Sequence, residues 1–178
     1  MSSRHVGNNW VPLVGMSALF LGGAAVDLMS TSNIAAVSAY YAFGTLLLVV
    51  VTAIWFFRHP PALLGAWKAY LYTVCAIGAG VLFTSTVAPL NGCGTWLILG
   101  GACIYYGVLE RARVIVTAGA ASVLMALPAA FITAPVWGGA LQAIAAAAVV
   151  TAGYRLHLTK YGRRTPGRDI ELSTLNLL

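Results

Sequence analysis

The chain has 178 residues, of which 60% are hydrophobic and only 8% charged, with a net charge of +6 and a mean hydropathy of +0.87. A soluble domain carries about 25% charged residues, so a water-exposed surface cannot be built from this composition and lipid must solvate much of it. The positive charge does not point to nucleic acid, because the basic residues sit at the ends of apolar runs rather than in a stripe.

Crossing the hydrocarbon core takes about 20 apolar residues in a helix. In chain order the runs are Trp10–Met29, Ile34–Phe57, Ala66–Leu90, Thr95–Leu109, Val114–Thr133 and Val136–Leu156. The fourth is short for a span and implies local thinning of the bilayer or an earlier start. The first run continues too long, without a small-residue cleavage pattern, to be read as a cleavable signal. The expected fold is therefore an all-α integral membrane protein of six transmembrane helices arranged as three hairpins. Residues 1–9 form an N-terminal segment, 10–156 the membrane domain and 157–178 a basic tail.

Orientation follows from lysine and arginine. Arg4 precedes the first run, Arg58 follows the second and Lys68 opens the third. Arg111 and Arg113 separate the fourth and fifth, and Arg155, Lys160, Arg163, Arg164 and Arg168 follow or close the sixth. All ten basic residues then fall on one side, which puts both termini in the cytoplasm of a multi-pass cell-membrane protein. Trp10, Trp55, Trp67, Trp96 and Trp137 lie at run ends, as an aromatic belt requires. Small-residue clusters such as Gly22–Ala25, Gly100–Ala102 and Ala143–Ala148 allow close helix packing, within the chain or between subunits. The stretches 87–92 and 133–138 share a pattern consistent with an internal repeat.

No catalytic constellation, metal motif or phosphate loop is present, so an enzyme is not expected and neither a cofactor nor a metal is implied. Cys75, Cys93 and Cys103 lack metal-ligand spacing; Cys75 and Cys103 read as packing residues. His5, His59 and His157 read as solvated residues near the cytoplasmic face, and Glu110 as a surface partner for nearby arginines. Asp27 is the one acid inside an apolar run. It either handles charge or protons at membrane depth, or reaches the outer interface or caps the next segment. Lys68 either snorkels to the cytoplasm or attracts an anion leaving a pore. Hydroxyls within the runs, among them Tyr40, Tyr41, Tyr70, Tyr72, Tyr105, Tyr106 and Ser122, with Gln142, suit a small, weakly polar solute.

Several local patterns resemble the acetate uptake transporter family, whose bacterial representative is the succinate–acetate permease. Asn9, Pro12 and Leu13 match the family's element at the start of its first helix, with Trp10 in place of a proline and Val14 in place of a glycine. Phe57-Arg58-His59, Gly65 and Ala69–Tyr72 resemble its second loop and third helix. Tyr106–Val114 resembles its fourth-helix ending, and Tyr161–Pro166 its tail. The resemblance implies a homo-hexamer in which each protomer passes acetate through a constriction of Phe, Tyr and Leu. Tyr72 stands at the tyrosine position, Ala18 near the phenylalanine position with Phe20 close by, and Ser122 near the leucine position. Two of the three are thus smaller or more polar than in the family, which implies a wider or wetter path. The function so implied is a monocarboxylate channel or transporter. The alternatives are a non-transporting accessory subunit and a channel for urea-like solutes.

Overall fold

A computed structural model describes residues 7–29, 34–60, 66–86, 93–131 and 135–162. Among them all regular structure is helical. A short 3-10 turn, Gly7–Asn9, leads into α1 (Trp10–Met29), α2 (Ile34–Arg58), α3 (Trp67–Thr86), α4 (Gly94–Leu109), α5 (Arg113–Phe131) and α6 (Pro135–Tyr161). The expected repeat at 87–92 lies outside the described residues, as do Arg4, His5, Gly65 and the tail basics from Arg163 onward. The last helix runs five residues beyond Leu156, so the start of the expected tail continues α6.

Four of the helices carry a stretch long and apolar enough to cross a membrane: Trp10–Met29, Ala35–Arg58, Trp67–Thr84 and Gly138–Leu158. The apolar stretches Gly94–Leu109 and Arg113–Ala129 are shorter. At 1.5 Å per residue the 16 residues of α4 reach about 24 Å, below the roughly 30 Å of a hydrocarbon core. Pro128 interrupts the hydrogen-bond ladder near the end of α5.

Contacts between α1 and α6, and between α3 and α4, run in opposite chain directions. On α1 and α6, Ser17 donates to the carbonyl of Ala146 at 2.9 Å, and Trp10 meets His157 nearer the start of α1. On α3 and α4, Tyr70 meets Tyr106 and Gly80 approaches Ile98. The most extensive partnerships are α1 with α6 and α4 with α5. Only the first joins elements remote in sequence, and it closes the chain into a ring. The α1–α6 seam thus joins the ends of the chain, where small-residue faces let the backbones approach closely. Gly100 and Gly119 mark such an approach: a Cβ on Gly119 would lie 2.7 Å from the carbonyl oxygen of Gly100.

The interior is filled by side chains. Phe20, Tyr41, Trp96, Ile115 and Val149 are fully buried. Across the bundle α1 and the turn before it meet α4 through Asn9 and Tyr106, Met16 and Cys103, and Phe20 and Trp96. The outside is apolar instead. Phe43, Leu46, Leu47, Val50, Val51 and Ile54 form one exposed face of α2, spaced as a helix spaces neighbours. A continuous exposed apolar face of this kind needs lipid or a partner against it.

Candidate functional site

Most hydroxyls that the sequence offers to a solute are consumed inside the protein. Tyr40 donates to the carbonyl of Leu19 at 3.1 Å, and Tyr41 to Oε1 of Gln142 at 2.9 Å. Tyr106 donates to Oδ1 of Asn9 at 2.8 Å. Thr73, Thr84, Thr117 and Ser122 return their hydroxyls to carbonyls three or four residues back. This is the usual fate of a hydroxyl in an apolar helix, where no water competes for it.

Tyr70 gives its hydroxyl to Glu110 and Tyr154 lies exposed on α6, whereas Tyr72 and Tyr105 share one groove. A cavity of about 420 Å³ opens sideways between α3 and α4. Tyr72 and Tyr105 line it together with Thr73, and its other walls are Ala76, Ile77, Leu97, Ile98, Gly101 and Ala102. Tyr72 is 69% exposed and Tyr105 49%, and among the described residues no acceptor is hydrogen-bonded to either hydroxyl. Gly101 contributes open space, since a Cβ there would meet nothing within 4 Å. Lys68 is exposed and stands one turn before Tyr72, on the same face of α3.

The other expected constriction residues go elsewhere. Phe20 is fully buried against Trp96, with ring centroids 6.3 Å apart. Ser122 is fully buried against Gly100, one turn further along α4. Phe20 and Ser122 thus flank α4 inside the core. Ala18 is exposed on the opposite face of α1 from Phe20, and Tyr72 is outside on α3. Asn9 and Leu13 are buried and Pro12 is half-buried, all at the start of α1. The Nδ2 group of Asn9 has no partner among the described residues. Asp27 is half-buried, and a Cβ on Gly138 would lie 2.8 Å from its Oδ2, so the end of α1 lies against the first turns of α6.

Four expectations need correction. Glu110 is not a surface acid paired with arginine; it is buried and accepts the hydroxyl of Tyr70. His59 and His157 are not simply solvated. His59 stacks on Trp55 at 4.0 Å, and His157 sits 4.9 Å from Trp10 and 4.7 Å from Tyr161. Trp96 is buried at the core rather than facing a membrane interface. Burial of the neighbouring Phe20 explains this last case, because two large rings fill the space that the glycines of α4 leave. Cys75 is exposed rather than packed. Tyr105 carries more of the groove than the sequence suggested; its place one turn from the end of α4, opposite Tyr72, was the available signal.

No family model, curated protein or solved structure matches this chain. The groove is therefore read from its own chemistry: two hydroxyl donors and a nearby ammonium on walls that are otherwise aliphatic. Such a surface can orient a small solute bearing one acceptor group while keeping the rest of it in apolar contact. Among the described residues no group of three metal-ligating side chains comes together.

Proposed function

We propose that this protein crosses the cell membrane six times, with both termini cytoplasmic, and that it conducts a small monocarboxylate such as acetate, with succinate as a further substrate. The observation that carries this reading is the pair of unengaged hydroxyls, Tyr72 and Tyr105, in the aliphatic groove between α3 and α4. A carboxylate leaving water loses hydrogen bonds that two phenols restore without the desolvation cost of burying a counter-charge. Lys68 draws the anion toward the groove. In the homo-hexamer implied by the family resemblance, a neighbouring copy closes the open side of the groove against lipid. Proton coupling then uses the acid form of the solute itself or Asp27.

The packed interior favours a second reading, a non-transporting membrane subunit of a larger complex, since Phe20, Tyr41 and Trp96 fill the centre of the bundle. Uptake of radiolabelled acetate into proteoliposomes separates the two. Uptake above empty vesicles that unlabelled acetate suppresses and urea does not supports monocarboxylate transport. Uptake suppressed by urea instead indicates an amide channel. A folded oligomer with no uptake leaves the accessory role.

A further inference from the structure

Three residues, Glu110, Arg111 and Ala112, join α4 to α5. The amide of Arg111 bonds to the carbonyl of Val108 at 3.1 Å, and that of Ala112 to the carbonyl of Gly107 at 2.8 Å. This paired closure places one residue in the left-handed region, a position that usually goes to glycine because a Cβ is strained there. Here it is Arg111, with φ 52°. A side chain kept where glycine would be less strained points to a use for that side chain.

The use is visible beside it. A cavity of about 400 Å³ lies between α4 and α5, with Arg111 and Arg113 at one end and Val108 and Val116 along its walls. Gly107 shapes it by close approach, since a Cβ there would lie 2.7 Å from the Val116 amide nitrogen. The adjacent acid, Glu110, is buried and taken by Tyr70. Two guanidinium groups therefore stand over an aliphatic slot, at the end of the bundle that also carries Arg58, Lys68 and Arg155.

We propose that this cavity binds an anionic phospholipid, with its phosphate between Arg111 and Arg113 and the start of an acyl chain along Val108 and Val116. Guanidinium forks match phosphate oxygens in pairs, and basic pockets between membrane helices at the cytoplasmic surface suit such headgroups. The site rests on the membrane reading of the chain but not on any transported solute.

The test uses the full-length protein extracted from membranes and compares phosphatidylglycerol, phosphatidylcholine of the same chains, and inorganic phosphate. Native mass spectrometry reads the retained lipid, and thermal unfolding reads stabilisation. Phosphatidylglycerol is retained in preference to phosphatidylcholine and raises the unfolding midpoint, whereas inorganic phosphate does not. R111G and R113Q each lower phosphatidylglycerol retention about fivefold. In phosphatidylcholine R111G unfolds at or above the wild-type temperature, because it relieves the left-handed strain. Equal retention of the two lipids, full protection by inorganic phosphate, or an unchanged preference in R113Q overturns the lipid site. Loss of the fold in R111G overturns the account of Arg111 as a strained position. A chain released from membranes by alkaline carbonate would sink the membrane reading itself, whereas a firmly embedded chain without lipid preference would sink only this site.

Discussion

The Tyr41 hydroxyl donates to Oε1 of Gln142 at 2.9 Å and ties α2 to α6 directly above Gly23 of α1. Three helices meet at this point, and the middle one has no side chain there. A Cβ on Gly23 would lie 2.2 Å from the Tyr41 oxygen and 2.7 Å from Oε1 of Gln142. The bond and the glycine are therefore one device: the glycine makes room for a polar bridge that would otherwise be displaced.

Gly23→Ala is expected to destabilise the protein by about 1–3 kcal/mol through overpacking. Gly78→Ala is the control, because a Cβ at Gly78 meets nothing within 4 Å; it should be neutral or stabilise by up to about 1 kcal/mol through helix propensity. Unfolding midpoints in one detergent compare the two. Equal midpoints would mean that the α1–α2–α6 junction is looser than described.

Tyr41→Phe removes the bridge and leaves the Gln142 acceptor buried. Hydrogen bonds between membrane helices average only about 0.6 kcal/mol, so the expected loss is about 0.5–2 kcal/mol, smaller than that of Gly23→Ala. A double-mutant cycle with Gln142→Leu should return a coupling energy of the same order. No coupling would show that the two side chains act independently.

Tyr70 and Glu110 form the corresponding pair between α3 and the connection that follows α4. Because few residues of α3 are buried, this bond is expected to contribute strongly to holding it. Tyr70→Phe is expected to cost about 1–3 kcal/mol, since it strands a buried carboxyl group. Amide hydrogen exchange along α3 should then quicken. An unchanged exchange rate there would count against this role.

Tyr72→Phe and Tyr105→Phe remove the groove hydroxyls with little loss of packing, as both rings are largely exposed. Folding stability should change by less than about 0.5 kcal/mol, whereas acetate uptake should fall several-fold in each and further in the double variant. Tyr72→Ala should likewise alter flux or competition more than folding. Flux equal to wild type in the double variant would take the groove off the solute path.

A reporter fused after Leu178 is expected to be active only in a cytoplasmic format, because every lysine and arginine assigned from the sequence lies on the tail's side. Activity outside the cell would reverse the orientation and remove Lys68 and Arg111 from the cytoplasmic surface.

The helices were legible in the residue order alone. The start of α1 at Trp10, its end at Met29 and the end of α4 at Leu109 coincide with the expected limits, because apolar run length and the polar stops between runs are properties of a line of residues. The separation of basic from uncharged connections is legible for the same reason. What only the tertiary structure decided is which face of each helix turns inward. These helices are apolar all round, so the periodicity that marks the buried side of a water-soluble helix is weak in them. Nothing in the sequence therefore distinguished Phe20, which is buried, from Ala18, which is exposed, or told that Glu110 turns inward to Tyr70 while Arg111 stays at the surface. Packing of small residues made those choices, since close backbone approach at Gly23, Gly100 and Gly119 fixes the rotation of each helix and with it every side chain the helix carries.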